Sequence, residues 1–423
     1  MRGRRLAAYP VWLIYGAVWA FIGSLVWTTA AVYFVRDVGM SPLQLVLTGT
    51  ALEVGYFMFE IPTGVVADLY SRRLSLVVAA AVSGVAMVIT GAVPDVAAII
   101  AAAALWGIGW TFRSGAEDAW LADELGPERL GVAYQRGAQF GRLAGLLGIM
   151  AAVGLALVDL RLPFVAGGVV TLLLALFLST FMPEQGFSRS ERAVGTRRLA
   201  AAVATARDGL RLVRAHVVLA LVLGIAFISG TWAEGFDRLW EAHLLIDVGL
   251  PTFAGLDNVA WFGVLGAGTL LLSFLVAAPL VSRIERLDQL RLARHLFVLH
   301  ALLVVTALGF AVAGSVWAAL TAYWATTVIR GLTEPPFRSW LNGSITDSRV
   351  RATVLSIAGV AGSAGEWVGG PVLGVVGTRW SIRTALAAGA LLLIPTLALF
   401  ARAIRHHGRE PELISDLDTR PAV

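Results

Sequence analysis

The sequence predicts an all-α membrane protein built from twelve transmembrane helices in two related six-helix halves. Three observations support this fold class. Hydrophobic residues make up 58% of the 423 residues, and charged residues only 14%. Apolar runs recur along almost the whole chain, and the second half repeats residues of the first half in the same order. A water-soluble fold would leave much of this apolar surface in water, whereas a bilayer solvates it.

Each apolar run is long enough to cross about 30 Å of hydrocarbon at about 1.5 Å per residue of helix. A polar, arginine-rich stretch separates the halves, and the pattern of residues 196–216 is typical of an amphipathic helix at a membrane surface. The predicted organisation is an N-terminal bundle over 1–182, a linker over 183–215, a C-terminal bundle over 216–404 and a tail over 405–423. The twelve predicted segments span residues 10–35, 43–67, 74–93, 96–122, 132–158, 162–182, 217–245, 258–281, 290–312, 315–341, 352–376 and 382–404.

The arginines give the orientation. An even number of segments places both termini on the same side of the membrane. Most arginines outside the segments fall on that side, including Arg2, Arg72, Arg129 and the run in the linker. By the positive-inside rule, we expect a multi-pass protein of the cell's inner (plasma) membrane with both termini in the cytoplasm. The same arginines account for the pI near 10.0 without a nucleic-acid partner.

Two residue types are missing. The chain contains no lysine, so all 33 basic residues are arginines, and it contains no cysteine. A Walker ATP site, a Schiff base and a thiolate metal centre all need one of these residues. We therefore expect no enzyme activity, no cofactor and no metal site. Work against a gradient must draw on another gradient.

The two halves match at a fixed offset of 217 residues. This offset relates Arg113 to Arg330 and Glu117 to Glu334, and it relates the glycine pair Gly145 and Gly148 to a second pair. At a slightly different offset, the run Asp37-Val38-Gly39 after segment 1 recurs as Asp247-Val248-Gly249 after segment 7. The collinear order favours gene duplication. Parallel repeats predict a substrate site between the halves near the bilayer midplane.

A charged motif follows segment 2. Residues 64–73 read Gly-Val-Val-Ala-Asp-Leu-Tyr-Ser-Arg-Arg, which resembles the cytoplasmic signature Gly-x-x-x-Asp-x-x-Gly-Arg-Arg of the major facilitator superfamily. Ser71 stands where that family has glycine. Residues 351–357, 59–64 and 114–117 resemble its bacterial multidrug-efflux (drug:proton antiporter) branch. The resemblance implies the major facilitator fold, with two six-helix bundles related by a pseudo-two-fold axis, and favours a drug:proton antiporter.

The motif has a physical interpretation as a cytoplasmic gate. Asp68 is placed to accept N–H groups at the start of segment 11, where the helix dipole is positive. Arg72 and Arg73 are placed to pair with Asp123 or Glu124 at the end of segment 4. The alternative is that these arginines only fix the topology. The predicted gate consists of Gly64, Asp68, Arg72, Arg73 and Asp123.

Ionisable residues inside the apolar segments are functional candidates, because a charge in the membrane costs several kcal/mol unless it is paired or hydrated. Their roles are either proton coupling or structural pairing, and both interpretations stay open. The candidates for proton coupling are Glu53, Glu60, Glu117, Asp118, Glu234, Asp237, Glu334 and Glu366, with Arg113, Arg330 and Arg338 as charge partners. The spacing of four residues predicts that Arg113 pairs with Glu117 and Arg330 with Glu334. His243, near the outer end of segment 7, is predicted to be solvated.

Tryptophans deep in the segments could give a cavity aromatic walls suited to a hydrophobic or cationic solute. These cavity candidates are Trp19, Trp27, Trp106, Trp110, Trp232 and Trp324. We therefore predict a monomeric secondary transporter in the lipid bilayer that exports a small-molecule substrate and couples export to protons. The alternatives are an uptake symporter or facilitator for a metabolite, and a permease-like sensor that binds a ligand without moving it.

Overall fold

A computed structural model describes residues 5–187, 217–252, 258–277, 280, 287–344 and 348–418. The predicted linker helix over 196–216 lies outside the described residues, as do Pro279 and Glu285, the partners of Pro62 and Asp68 in the sequence repeat. The backbone of Asp68 is described, but its side chain is not.

Helices dominate the described chain, and each of the twelve predicted segments corresponds to one helix or to a broken pair. They are α1 (Ala8–Trp27), α2 (Ala30–Arg36), α3 (Pro42–Leu69), α4 (Arg72–Ala92), α5 (Val96–Ser114), α6 (Glu117–Leu125), α7 (Pro127–Ala156), α8 (Leu162–Phe181), α9 (Val217–Ala242), α10 (Asn258–Leu272), α11 (Gln289–Val312), α12 (Val316–Gly343), α13 (Ser348–Arg379), α14 (Ile382–Leu392) and α15 (Ile394–Asp418). The last helix runs well beyond the predicted end at residue 404.

The apolar pattern does not reveal where the helices break. Segment 1 is interrupted at Thr28 and Thr29, and segment 4 is interrupted between Ser114 and Glu117. Helix α9 ends in a π-helical turn, His243–Val248, and α10 in another, Ser273–Ala277. Turns of this kind are often found at functional sites.

Nine of the described helical spans are long and apolar enough to cross a membrane by length and composition. Helices α3, α12 and α13 are not among them. They are long enough, but each contains charged residues and an internal proline. Glu53, Glu60 and Glu366 therefore lie on helices that hydropathy alone does not identify as membrane spans.

Side-chain caps set the start of several helices. A Ser or Asp side chain accepts the N–H of the residue three positions on, which satisfies one of the free donors at a helix start. Ser41 forms a full capping box with Gln44. The caps of this kind are Ser41, Ser71, Asp95, Asp288, Ser315 and Ser381.

The repeat in the sequence reappears as equivalent packing. Helix α1 packs along α7, and α9 packs along α13 in the same way. Glycine permits both contacts: a Cβ on Gly148 would lie 2.4 Å from the Phe21 carbonyl oxygen, and one on Gly365 would lie 2.0 Å from that of Phe227. The glycine of each Asp-Val-Gly run, Gly39 or Gly249, has a φ of 71°.

Contacts divide the chain into two compact units. One consists of Met1–Arg192 with Leu250–Ala267, and the other of Ala193–Gly249 with Gly268–Val423. A cluster around Trp120 and Tyr15 forms one core of the first unit. A cluster around Trp340 and Phe400 does so in the second unit. Each unit also encloses a cavity.

Candidate functional site

The cavity in the N-terminal half has aromatic walls. Its volume is about 330 Å³, and it lies between α1, α3 and α5. Gly55 and Gly107 hold α3 and α5 at backbone contact, because a Cβ on either would lie within 2.3 Å of a carbonyl oxygen on the other helix. Trp27 and Trp106 stack with centroids 4.7 Å apart and an interplanar angle of 10°. The lining residues are Trp27, Leu52, Glu53, Tyr56, Trp106 and Trp110.

Only one of the two predicted carboxylates of α3 lines this cavity. Glu53 is half-buried among the aromatic rings. Glu60 lies on an exposed part of the helix, where the Tyr56 hydroxyl donates a 2.8 Å hydrogen bond to its Oε1. Tyr56 therefore lines the cavity together with Glu53 and also holds Glu60.

Arg113 lies in an enclosed charged cluster beside this cavity. Its Nε is 2.6 Å from Glu117 Oε2, which also accepts a hydrogen bond from the Tyr15 hydroxyl at 3.2 Å. The guanidinium carbon lies 4.7 Å from the ring centroid of Trp19 and 4.9 Å from that of Trp110. Because α5 ends just after Arg113 and α6 begins at Glu117, the short break sets this pair in place. The arginine is neutralised by a carboxylate and flanked by aromatic faces.

The neighbouring Asp118 is exposed and points elsewhere. It accepts a 2.9 Å hydrogen bond from the hydroxyl of Tyr134 on α7. It thus links α6 to α7 and takes no part in the cluster around Arg113.

The cavity in the C-terminal half is more polar. Its volume is about 260 Å³, and residues of α9, α11, α12 and α13 line it. Trp232 is the tryptophan of its wall, and its ring centroid lies 5.5 Å from the Arg330 guanidinium carbon. The polar and charged lining residues are Ser229, His300, Arg330, Thr333, Glu334 and Glu366.

The predicted pairing of Arg330 with Glu334 is wrong. Arg330 instead makes a two-pronged contact with Asp237 of α9, with Nη2 and Oδ2 2.8 Å apart. Glu334 pairs with Arg338, one turn further along α12, at 2.8 Å. The reason is geometric: a guanidinium fork matches both oxygens of a facing carboxylate better than one oxygen on its own helix. Within α9, Glu234 accepts a hydrogen bond from Arg238 at 3.0 Å.

His243 is not solvated, contrary to the prediction. Its side chain is fully buried, because α9 continues as the π-helical turn and directs the imidazole inward. Nδ1 lies 2.9 Å from Asp247 Oδ2, and Nε2 lies 3.2 Å from the Phe310 carbonyl oxygen. The same Asp247 oxygen accepts the backbone N–H of Arg383. This cluster ties the end of α9 to α11 and α14.

The predicted gate is only partly described. Arg72 contacts Asp123 and donates a 2.6 Å hydrogen bond to the Ala119 carbonyl oxygen. The Arg73 guanidinium contacts the carbonyl oxygens of Leu178 and Ser179 and has no carboxylate partner among the described residues. Gly64 lies within α3, and the Asp68 side chain is outside the description.

Ser71, which replaces the usual glycine of the motif, has a defined role. Its backbone is extended, so no glycine is required, and its hydroxyl accepts the Leu74 N–H as the cap of α4. The hydroxyl also donates to Glu184, which accepts the Arg73 N–H as well. Sequence reasoning missed Glu184 because it placed this residue in the linker.

Three further residues near the cavities were missed. Tyr15 lies 102 residues from Glu117, so nothing in its spacing points to that partner. Tyr56 did carry a signal, because it lies four residues before Glu60 on the same helix. His300 did carry a signal, as an ionisable residue within the apolar run 290–312. Of the remaining tryptophan candidates, Trp19 lies beneath Arg113, and Trp324 packs against Gly268. Among the described residues, no cluster of three or more His, Asp or Glu could hold a metal.

Apolar helical bundles that contain cavities with charged lining residues indicate a multi-pass membrane protein of the transporter class. A family model described as Major Facilitator Superfamily matches residues 11–366, so the chain belongs to this superfamily. The twelve-segment fold predicted from the sequence is confirmed. The protein is a transporter and not an enzyme.

Relatives place the chain within this superfamily without giving its substrate. It is 23% identical over 361 residues to an uncharacterized MFS-type transporter, YxaM, of Bacillus subtilis (strain 168), which covers 85% of this chain and 86% of that protein. The structure resembles that of the nucleoside transporter NupG, with a TM-score of 0.76, 12% identity and coverage of 94% and 99% of the two chains. It also resembles a bacterial homolog of the human lysosomal transporter Spinster, with a TM-score of 0.69, 15% identity and coverage of 94% and 96%. These likenesses concern the fold alone.

Proposed function

We propose that this transporter exports a small hydrophobic or cationic compound by proton-coupled alternating access. The observation that carries the proposal is the N-terminal cavity, where Glu53 lies among Trp27, Tyr56, Trp106 and Trp110. Aromatic faces attract a cation and bury an apolar body, and the carboxylate supplies the opposite charge. An anionic or strongly polar solute would find few partners on these walls.

Proton coupling follows from the same carboxylate. An ionised Glu53 binds a cation, whereas a protonated Glu53 has lost that attraction, so proton and substrate compete for one group. Such competition is the minimal requirement of antiport, because binding of one ligand releases the other. Glu60, held by Tyr56, would exchange its proton at the exposed side.

The orientation and gate belong to this proposal. The arginine distribution supports cytoplasmic termini by the positive-inside rule. We propose that the protein works as a monomer in the inner membrane of the cell. The contact of Arg72 with Asp123 would close the cytoplasmic side together with Asp68, and breaking it would favour opening.

Flux measurements in proteoliposomes test this proposal. Wild-type protein should move a fluorescent lipophilic cation in the direction opposite to proton flow. This movement should slow when the proton gradient is collapsed. Glu53→Gln should reduce flux by about tenfold or more, since losing a desolvated charge partner costs roughly 2 kcal/mol or more. Glu60→Gln should weaken the dependence on the proton gradient.

The matched control is Glu128→Gln, the same change at an exposed position in the first turn of α7. It should leave flux and gradient dependence unchanged. Accumulation driven by an inward proton gradient in the same direction would instead establish an uptake symporter. Bound cation without flux under any gradient would establish a sensor.

A further inference from the structure

The C-terminal cavity differs from the aromatic cavity in the hydrogen-bonding character of its wall. It extends to α11, where His300 lines it. His300 is 3% exposed, and its ring lies against Phe400 with centroids 4.6 Å apart. The ring is therefore held in place by packing.

The hydrogen bond of His300 fixes which ring nitrogen is left as an acceptor. Nδ1 lies 2.9 Å from the Leu296 carbonyl oxygen, which can only accept, so Nδ1 carries the proton. A charge within the bundle is costly, which favours the neutral ring. In a neutral imidazole with a protonated Nδ1, Nε2 is a hydrogen-bond acceptor. Nε2 is on the opposite edge of the ring and has no hydrogen-bond partner among the described residues.

Neighbouring groups have the same polarity. The Thr333 hydroxyl donates its proton to the Ile329 carbonyl oxygen at 2.8 Å, which leaves its oxygen as an acceptor. Glu334 and Glu366 add carboxylates to the wall. The buried Ser229 Oγ has no hydrogen-bond partner among the described residues. Acceptors thus come from α9, α11, α12 and α13 together.

The positive group of this wall is already held. Asp237 engages the Arg330 guanidinium through both carboxylate oxygens. This contact neutralises Arg330, so an anionic solute would have to displace the Asp237 carboxylate before it could bind there. The cavity fits a group that is positively charged and carries several hydrogen-bond donors.

We propose that the C-terminal cavity selects protonated amines that carry N–H groups, and that His300 is a specificity-determining residue through its Nε2. This inference rests on the proposed transport of cations and narrows the substrate class. A primary ammonium offers three donors to the acceptors of this wall, whereas a quaternary ammonium of equal charge offers none. The aromatic cavity of the other half makes this distinction less strongly, because cation–π attraction needs no N–H and Glu53 is the single carboxylate among its described lining residues.

Paired probes test the proposal on the full-length protein in nanodiscs. A dansylated pentylammonium and its trimethylammonium analogue share charge, chain and fluorophore, and differ only in the N–H donors. Wild type should bind the primary ammonium about tenfold more tightly, as expected for one or two hydrogen bonds with a charged donor. His300→Phe should bring the ratio of the two affinities close to one, and His300→Gln, which restores an acceptor, should recover part of it.

The matched control is His295→Phe. His295 lies on the same helix, and its Nδ1 is bonded to the carbonyl four residues before, but the side chain is exposed. This variant should keep the wild-type ratio. Equal binding of the two probes by wild type would overturn the proposal with no variant needed, as would an unchanged ratio in His300→Phe. If one of these results is obtained and the wild type exports both probes, the proposed function stands while this inference fails.

Discussion

Arg113 and Arg330 occupy equivalent positions in the two halves of the transporter, but their surroundings differ. The side chains of Arg113 and its partner Glu117 are each 18% exposed, whereas those of Arg330 and Asp237 are 37% and 43% exposed. Arg113 pairs with Glu117 across the short break between α5 and α6, whereas Arg330 of α12 pairs with Asp237 of α9. The repeated arginine thus belongs to an enclosed ion pair in one half and to a more open ion pair at a cavity in the other half.

The difference changes what each pair can do. An enclosed pair cannot exchange partners cheaply, because a lone charge in a low-dielectric interior loses several kcal/mol of solvation. The pair of Arg330 and Asp237 is partly exposed at a cavity, so its partners have more room to separate than those of an enclosed pair. From the sequence alone, both structural pairing and proton coupling stay open for these residues. The environments favour a fixed structural ion pair at Arg113 and an ion pair that can change partners at Arg330.

The largest expected effect on stability concerns the enclosed ion pair of Arg113 and Glu117. Glu117→Gln leaves the Arg113 guanidinium enclosed without its carboxylate, and also weakens the hydrogen bond from Tyr15. Removing one partner of a buried pair costs about 3 to 5 kcal/mol. We therefore expect a clear fall in the thermal stability of the purified protein, measured by its unfolding temperature in detergent.

The equivalent position in the other half supplies the control. Glu334→Gln removes the same charge, but its partner Arg338 is 74% exposed. An exposed pair contributes about 1 kcal/mol or less, so this variant should melt close to wild type. Equal losses in the two variants would show that the enclosure of Arg113 has no energetic consequence.

The fold was predictable because its signals are local. Apolar runs of sufficient length identified most of the twelve segments, whereas α3, α12 and α13 carry charged residues and an internal proline. The fixed offset identified the internal repeat before any contact was known. The helix breaks were missed because hydropathy averages over a window and does not register a two-residue interruption at Thr28. The caps at Ser41 and Ser71 were present in the sequence as residue types, but only the structure shows which hydroxyl satisfies which N–H.

The site was predictable only in part, for a physical reason. Spacing along a helix reports neighbours three and four residues apart, which explains the success with Arg113 and Glu117. It says nothing about Asp237, which lies 93 residues from Arg330 and faces it from another helix. His243 was misplaced for a similar reason, since the turn that buries it follows from tertiary contacts with Phe310 and Arg383.

An intermediate effect on stability is expected for a feature that the two halves share, the close helix contact at a glycine. Gly148→Ala and Gly365→Ala each place a methyl group within 2.4 Å of a carbonyl oxygen on the facing helix. Overpacking of this kind costs about 1 to 3 kcal/mol, because two helix backbones must move apart. We expect similar losses of thermal stability in both variants.

Two glycines with open surroundings are the controls for this comparison. Gly154 and Gly359 lie on α7 and α13, and a Cβ on either would meet nothing within 4 Å. Alanine there should be neutral or slightly stabilising, because it has the better helix propensity. A large loss in one half alone would show that the close helix contact is conserved in only one bundle.

The smallest expected effect on stability is the most informative about transport. Asp237→Asn should change stability by about 1 kcal/mol or less, because its pair with Arg330 is open. It frees a guanidinium at the wall of a cavity that we propose to bind cations, so cation flux should fall about fivefold, equivalent to roughly 1 kcal/mol. The double variant Asp237→Asn with Arg330→Gln removes both charges together and should recover most of that loss, since coupled residues do not act additively. Proteoliposome flux of the primary ammonium probe measures both variants. A double variant no more active than Asp237→Asn alone would mean that the guanidinium itself is required, and Arg330 would then contact the solute directly.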